Sequence, residues 1–390
     1  MNISKKSLIE GLSYALDLAE GRYFSHSKHV AYTSLMIGKT MKMTKVELSE
    51  LYYTALLHDI GAGNNYDIKE HAEKGAKIVR NLLLSSESVE AIRYHHEFND
   101  GSGSYGLIGD EIPLMSRIIV IANLLDIKIQ ECKIQLEKTL DYEIHDKIIN
   151  YLQSLTGYVD YEILNTLISI IEKPYFLLSY VNIRFDDILR HTSKHLLDEN
   201  YGFSVVKKYA EAFSEIIDQR NPFTYNHSVG LASLTQVVSD ALGYDDAVKE
   251  ELYIASLLHD IGKLAVDNDI INKNGKLTKE ERYSINKHTY YTRFVLTHIT
   301  GFEHITKWAS NHHERLDGSG YPFGFTAKEL DEQDRLLAIL DIYQALTEER
   351  PYRIAFSKEK VYSILEDDVS KGKIDGKLLK KIKPILESVL

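Results

Sequence analysis

The sequence of 390 residues contains one cysteine, six prolines and one tryptophan. Because Cys132 has no second cysteine to pair with, the chain cannot form an internal disulfide, which excludes a disulfide-stabilised scaffold. Strand-like alternation of apolar and polar residues is also scarce, whereas apolar residues recur at helical spacing over long stretches. The sequence therefore predicts an all-α fold.

Long apolar runs and an excess of positive charge are missing as well. No stretch of about 18 apolar residues occurs, so we expect a cytoplasmic protein without a membrane partner. The formal charge is −11, whereas proteins that bind polymeric nucleic acid or anionic membranes rely on lysine and arginine. We therefore expect neither partner, and a small anionic substrate would need a local basic site.

The length and composition favour two globular domains. Apolar residues make up 44% of the chain and charged residues 26%, and 390 residues exceed the size that one core usually reaches. Segments such as Leu51–His58, Val248–Leu258 and Arg335–Thr347 carry the apolar stripe of core-facing helices. Gly61 and Gly262 follow two of these segments, where we expect them to cap helix C-termini.

A set of histidines is repeated at equal spacing in the two halves. Each half has an HDIG tetrapeptide whose histidine lies 32 positions after an earlier one, and a later histidine that precedes a His-His pair by 24 positions. The first set is His26, His58, Asp59, His71, His95 and His96, and the second is His227, His259, Asp260, His288, His312 and His313. We interpret the chain as a tandem duplication.

The duplication places the domains at 1–185 and 204–390, with a polar linker at 186–203. Asp341 joins the second set, which then offers five imidazoles and two carboxylates, donors that suit iron or manganese. Adjacent residues on a helix point about 100° apart, so His-Asp and His-His pairs serve two neighbouring ions better than one. Two divalent metal ions would activate water and stabilise the oxygens around a phosphorus atom, which predicts phosphoester hydrolysis.

Three segments of the second half resemble the signature of the HD-GYP family, bacterial cyclic-dinucleotide phosphodiesterases within the HD hydrolases. They are HDIGK at 259–263, HHERLDGSGYP at 312–322 and DIYQALTEERPYR at 341–353, and the resemblance covers roughly 200–355. It implies two tandem helical HD-type domains, the second an HD-GYP domain, and metal ligands in which Asp260 bridges the ions. Those ligands are His227, His259, Asp260, His288, His312, His313 and Asp341.

The resemblance also assigns the residues around the metals. Lys263 matches the signature lysine, and it is placed to neutralise charge on a phosphate during attack. In the family's GYP loop a tyrosine between glycine and proline is an accessible ring for stacking on a base, and arginine forks suit phosphate or guanine. The substrate-binding candidates are Gly320, Tyr321, Pro322, Arg350 and Arg353.

Three positions of the second half depart from the family pattern. Asn221 and Gln344 stand where aspartates are common, which removes charge but keeps hydrogen-bonding capacity. Phe223 stands where some members carry a glutamate that binds a third metal. We therefore expect activity with two metals.

The first half has lost more of the pattern. Ala62 replaces the signature lysine, residues 103–105 read Gly-Ser-Tyr instead of Gly-Tyr-Pro, and Asn123 replaces the late aspartate. We interpret this half as a degenerate regulatory or scaffolding HD domain with a vestigial metal site. The alternative is a second working hydrolase site in which Asp126 supplies the missing carboxylate.

The resemblance implies a phosphodiesterase that hydrolyses cyclic di-GMP to linear pGpG and on to GMP, by attack of metal-activated hydroxide at phosphorus. The alternative substrate is the mixed cyclic GMP-AMP dinucleotide. An alternative of another class is a receptor that binds a cyclic dinucleotide without cleaving it, and a mononucleotide-cleaving HD nucleotidase fits the GYP segment less well. A homodimer is one assembly that the sequence allows.

Overall fold

The computed structural model describes residues 1–19, 21, 25–61, 67–132, 142–182, 184–220, 227–348 and 355–389. These residues fold almost entirely into helices, which confirms the all-α prediction. They form two units: Glu20–Glu199 is the N-terminal unit, and Met1–Ala19 together with Asn200–Leu390 is the C-terminal unit. Within the described ranges, no helix has both the length and the apolar character needed to span a membrane.

The chain starts with strand β1 (Ile3–Ser4) and helix α1 (Lys5–Ala19), which belong to the C-terminal unit. The helices of the N-terminal unit are α2 (His26–Thr40), α3 (Lys45–Leu56), α4 (Ile68–Arg80), α5 (Ser86–Arg93), α6 (Leu114–Glu131), α7 (Tyr142–Ser154), α8 (Tyr161–Ile171), α9 (Tyr175–Tyr180) and α10 (Phe185–Thr192). A short 3₁₀ helix, Gly109–Glu111, precedes α6.

Strand β2 (Asn200–Tyr201) then pairs antiparallel with β1. The remaining helices of the C-terminal unit are α11 (Phe203–Arg220), α12 (His227–Leu242), α13 (Asp246–Leu258), α14 (Asn268–Ile271), α15 (Lys279–Thr297), α16 (Glu303–Asn311), α17 (Glu332–Thr347), α18 (Lys358–Ser370) and α19 (Gly376–Val389). A 3₁₀ helix, Ile261–Ala265, carries the residues that follow the HD pair.

The sequence repeat is visible as a repeat of five helices in each unit. Helices α2 to α6 correspond in order to α12, α13, α15, α16 and α17, because the equivalent motif residues lie on these helices or directly follow them. In both units the helix that starts with histidine packs against the helix that leads to the HD pair and against the last of the five. Side-chain caps set the start of the HD-bearing helices: Thr44 forms a capping box with Glu47, and Asp245 accepts from the Val248 N–H.

Helix α1 packs in a different unit from the one predicted. It lies against the 3₁₀ helix Ile261–Ala265 and against α15, and it buries an apolar face that includes Leu8, Leu12 and Leu16. Gly11 permits the approach, because a Cβ atom there would lie 2.3 Å from a side-chain carbon of Ile299. An apolar stripe reveals that a helix face is buried, but not which core it enters.

The predicted linker is also partly helical. Helix α10 starts at Phe185, and Phe185 and Leu189, one turn apart, are both buried in the N-terminal unit although the segment is polar overall. The second unit resumes at Asn200, four positions before the predicted start at 204.

Candidate metal centres

The seven ligand candidates of the second half come together in the C-terminal unit, at the ends or on the inner faces of five helices. His227 begins α12, His259 and Asp260 follow α13, His288 lies in α15, His312 and His313 follow α16, and Asp341 lies in α17. They form three overlapping groups whose donor atoms lie within 4.8 Å of one another: His227, His259 and Asp341; His259, Asp260 and His312; and His288, His312 and His313.

Asp260 lies between two neighbouring positions of this cluster. Its Oδ2 atom is 3.1 Å from His259 Nε2, whereas its Oδ1 atom is 3.4 Å from His288 Nε2 and 3.9 Å from His312 Nε2. Asp341 is divided in the same way, with Oδ1 3.3 Å from His227 Nε2 and Oδ2 3.7 Å from His313 Nδ1. Each carboxylate therefore has one oxygen facing each half of the cluster, as a bridge between two ions requires.

The backbone fixes which ring nitrogen faces the cluster. In His259, His288 and His312, Nδ1 lies 2.8, 2.7 and 2.7 Å from the carbonyl oxygen three residues earlier, where the nitrogen can only donate. The Nε2 lone pair is then left for the interior of the cluster, which is how protein carbonyls orient histidine ligands. Local geometry thus turns a histidine in or just after a helix towards the interior of the cluster.

The glycine of the HDIG segment is required for a reason other than the predicted helix cap. Gly262 lies within the 3₁₀ helix, and a Cβ atom there would sit 1.9 Å from the carbonyl oxygen of His288. Gly61 stands in the same relation to His71, with 2.1 Å to its carbonyl oxygen, and neither glycine has a positive φ. Close backbone approach, which brings the HD pair to the next histidine, is the constraint at both sites.

The pKa values of most candidate ligands favour the binding of cations. Burial alone would raise the pKa of Asp260, but His259 and Lys263 hold it well below its usual value, so the carboxylate stays ionised. Burial lowers the pKa of His288 to about 4 and that of His313 to about 3, which keeps both imidazoles neutral. His227 differs, because hydrogen bonds to Asp341 and Glu348 outweigh burial and raise its pKa to about 9.

Glu348 is a functional candidate that the sequence analysis missed. Its Oε2 atom lies 2.8 Å from Nδ1 of His227, and its Oε1 atom accepts from the Gln344 amide at 2.6 Å. Gln344, noted as a departure from the family pattern, thus holds the carboxylate that orients the first histidine. Lys263, predicted beside the metals, lies 2.5 Å from Asp260 Oδ2.

Two further polar residues border the cluster. Asp218 of α11 is buried, burial raises its pKa to about 6, and it accepts a hydrogen bond from Ser228 next to His227. The Nη1 atom of Arg315 is buried and makes no hydrogen bond within the described ranges. Arg315 also lies near enough to Tyr321 to act against the burial that raises that hydroxyl's pKa. A guanidinium nitrogen in this state can bind an anion.

The GYP loop lies against the cluster. The Tyr321 ring is half-buried and 4.9 Å from the His313 ring, so it borders the candidate metal ligands and is partly accessible. Gly320 has no room for a side chain, since a Cβ would lie 2.4 Å from Glu314 Cα, and Glu314 accepts from the Phe323 and Phe325 N–H groups. The predicted Arg350 and Arg353, with Ala62, Asn221 and Phe223, lie outside the described residues.

The N-terminal unit assembles its six candidates in the same way. They form two groups that share Asp59: His26, His58 and Asp59, and Asp59, His71, His95 and His96. The Oδ2 atom of Asp59 is 3.0 Å from His58 Nε2, and its Oδ1 atom is 3.2 Å from His71 Nε2 and 3.6 Å from His95 Nε2. The division of Asp260 between two positions is thus repeated at Asp59.

Asp126 does not take the place predicted for it. It lies 2.5 Å from Nδ1 of His26, the nitrogen that faces away from Asp59, and it also accepts from the Tyr180 hydroxyl at 2.5 Å. Asp126 therefore orients His26, as Glu348 orients His227. Asn123 stays at the position of the missing carboxylate, and its buried Oδ1 atom makes no hydrogen bond in the part of the chain described.

Both clusters suit divalent metal ions. The buried Nε2 atoms of His71 and His95 and the buried Oδ1 atom of Asp260 make no hydrogen bond within the described ranges, although a side chain of opposite charge type lies within 4 Å of each. Polar atoms are rarely left so in a protein interior, and a bound cation satisfies them. The donors are imidazole nitrogen and carboxylate oxygen, the set that binds iron, manganese or zinc.

Comparison with protein families gives two matches, both described as an HD domain. One covers residues 211–378 and the other residues 23–127. The 3′3′-cGAMP-specific phosphodiesterase 1 of Vibrio cholerae is 26% identical over 97% of this chain and 90% of its own length. The 3′3′-cGAMP-specific phosphodiesterase 3 of the same organism is 28% identical over 93% of this chain and 90% of its own length.

A cyclic di-GMP phosphodiesterase of Pseudomonas aeruginosa is 38% identical, but over only 34% of this chain and 32% of its own length. Among solved structures, a cyclic GMP-AMP specific phosphodiesterase of V. cholerae shares the fold, with a TM-score of 0.74 at 24% identity over 99% of this chain and 98% of that one. The chain therefore belongs to the HD-domain family, with an HD-GYP domain in its C-terminal half and a second HD domain before it.

Proposed function

We propose that the C-terminal unit is a metal-dependent phosphodiesterase that cleaves a cyclic dinucleotide, and that its preferred substrate is 3′3′-cGAMP. The observation that carries the proposal is the position of Asp260, whose two oxygens face two adjoining groups of histidines. A pair of divalent ions held there would activate water and stabilise the attacking and leaving oxygens at phosphorus.

The side chains around the cluster have separate tasks in this reaction. Lys263 places its ammonium group beside Asp260, where it can neutralise negative charge on the reacting phosphate. Arg315 offers a guanidinium nitrogen with no hydrogen bond among the described residues, and such a group binds phosphate oxygens strongly. The Tyr321 ring packs beside His313 and occupies that side of the cluster, so it limits where a phosphodiester can lie.

The choice of substrate departs from the preference drawn from the sequence. The two V. cholerae relatives that match both halves of this chain are 3′3′-cGAMP-specific, whereas the P. aeruginosa cyclic di-GMP phosphodiesterase matches about a third of it. Relatives that match nearly the whole length of this chain support the mixed dinucleotide over cyclic di-GMP. The C-terminal cluster is proposed to hold two ions, and iron or manganese fits its donors.

The test compares turnover of 3′3′-cGAMP and cyclic di-GMP by the full chain, purified anaerobically and loaded with manganese or iron. We expect kcat/KM to favour 3′3′-cGAMP by at least about tenfold, equivalent to about 1.4 kcal/mol in the transition state. Asp260→Ala should abolish turnover, whereas Asp59→Ala should retain far more than Asp260→Ala does. Equal or reversed preference would remove the substrate assignment and leave the hydrolase.

The competing function is a receptor that binds the dinucleotide without cleaving it. Calorimetric binding to the same metal-loaded protein separates the two. Binding without turnover of either dinucleotide would contradict the phosphodiesterase and favour the receptor.

A further inference from the structure

The cluster of the N-terminal unit contains two candidate metal positions, which differ in how many of the donors of the C-terminal cluster they retain. The first position is formed by His71, His95, His96 and Asp59 Oδ1, and it keeps a counterpart for every donor at the equivalent place in the C-terminal unit. The second position is formed by His26, His58 and Asp59 Oδ2. Among the described residues no second carboxylate joins this group, because Asn123 stands where the C-terminal unit has Asp341.

The loss cannot be made up by the nearest acid. Asp126 lies on the Nδ1 side of His26 and is engaged there by Tyr180, His29 and Gln130 as well. The C-terminal cluster has two carboxylates, Asp260 and Asp341, to balance two dications. Among the described residues the N-terminal cluster has Asp59 as its one carboxylate donor, so a second dication there would have one anionic ligand fewer than in the C-terminal cluster.

The first position keeps its three histidines and one oxygen of the shared aspartate. Three imidazoles and one carboxylate oxygen form a donor set that holds a single zinc, iron or manganese ion without help from a second. His95 is fully buried, and its Nδ1 atom lies 2.5 Å from the Ile92 carbonyl oxygen, which turns Nε2 towards Asp59. This is the same local geometry that orients His312 in the other unit.

We propose that the N-terminal unit binds one divalent metal ion, at the position of His71, His95, His96 and Asp59, and that the Asn123 side leaves the second position without an ion. The ion joins α4 to the segments that follow α3 and α5, three separate segments of the unit. Its binding energy therefore adds to the folding energy of that unit. A centre with one ion lacks the two-metal arrangement on which hydrolysis at the other cluster is proposed to depend.

The experiment measures metal content per chain by mass spectrometry in the full-length protein after loading with manganese or zinc and desalting. His71→Ala should lower the content by one ion per chain relative to the wild type. Asn123→Asp should raise it by one, since it restores the second carboxylate to the N-terminal cluster. His191→Ala removes an exposed histidine of the same unit and should leave the content as it is.

Thermal unfolding of the same samples gives a second readout. Metal should raise the N-terminal unit's unfolding temperature in the wild type but not in His71→Ala. An unchanged metal content in His71→Ala would overturn the proposal, as would a wild type that already equals Asn123→Asp, because the second position would then be filled. His288→Ala disturbs only the C-terminal cluster. It tests that centre separately, so a failure of the proposed function can be distinguished from a failure of the N-terminal metal site.

Discussion

The Oε2 atom of Glu348 lies 2.8 Å from Nδ1 of His227 and so fixes the ring whose other nitrogen faces the metal position. Glu348 sits one helical turn after Gln344, which donates to its second oxygen at 2.6 Å. A carboxylate on Nδ1 both orients an imidazole and strengthens it as a ligand.

The N-terminal unit makes the same contact with the acid and the amide exchanged. Counted from the matching arginines Arg117 and Arg335, Asp126 corresponds to Gln344 and Gln130 to Glu348. In the N-terminal unit Asp126 holds His26, and the Gln130 amide donates to Asp126 at 2.5 Å. The duplicated helices have one acid and one amide in contact at these two places, in opposite order, so Gln344 keeps a role in orienting the first histidine.

We predict that Glu348→Gln weakens metal binding on the His227 side. Loss of an orienting carboxylate typically costs about 10- to 100-fold in affinity or activity. Metal titration monitored by calorimetry, together with kcat, measures the loss, and Glu359→Gln on an exposed part of α18 is the matched control.

The exchanged pair supplies a rescue. The double variant Gln344→Asp with Glu348→Gln rebuilds the arrangement of the N-terminal unit, and we expect it to recover most of the lost affinity. If the double variant is no better than Glu348→Gln alone, the two arrangements are not equivalent.

Replacing Lys263 should separate chemistry from metal binding. Its ammonium group lies beside Asp260 but is not a metal ligand, so Lys263→Met should lower kcat by about 100-fold, in the range of a lost transition-state contact. Metal content should change little. Lys276→Met, at an exposed loop position, controls for the loss of a positive charge. A parallel loss of metal and rate would instead make Lys263 a support for Asp260.

Gly262→Ala should destabilise the C-terminal unit. The added methyl group would lie 1.9 Å from the His288 carbonyl oxygen, which is backbone and cannot move aside cheaply. Overpacking of this kind costs about 1–3 kcal/mol, so we expect a lower unfolding temperature and weaker metal binding. Gly202→Ala is the control, since nothing lies within 4 Å of its added Cβ. Equal melting of the two variants would mean that the helices can separate without penalty.

Much of this arrangement could be predicted from the sequence, because the spacing of the candidate ligands occurs in both copies of the duplicated domain. The spacing of 32 positions from His227 to His259 recurs between His26 and His58, and equal spacings separate ligands from surface histidines. Glu348 was not predicted because its counterpart in role, Asp126, aligns with Gln344 and not with Glu348. The steric requirement for glycine at position 262 was not predicted, because the group that it approaches, the carbonyl of His288, is 26 positions away in sequence.

The position of α1 was beyond sequence reasoning for a different reason. Its apolar stripe and its place before His26 both suit the N-terminal unit, yet it packs on the C-terminal one. We predict that Gly11→Val pushes α1 away from Ile299 and lowers both the unfolding temperature of the C-terminal unit and its turnover, because α1 lies against the 3₁₀ helix that carries Lys263. Gly202→Val provides the control, and a variant that melts like it would show that this contact adds no stability.

Arg315 should determine how tightly the substrate is held. Its Nη1 atom is buried near Tyr321 without a hydrogen bond among the described residues, and the first copy has Phe98 at the same place after the His-His pair. A charge-assisted hydrogen bond to phosphate contributes about 1.5–3 kcal/mol, so Arg315→Ala should raise KM by about 10- to 100-fold with a smaller change in kcat. Steady-state kinetics on 3′3′-cGAMP measures the split, and Lys328→Ala, exposed near the same loop, serves as the control. A fall in kcat at unchanged KM would assign Arg315 to the transition state instead of to binding.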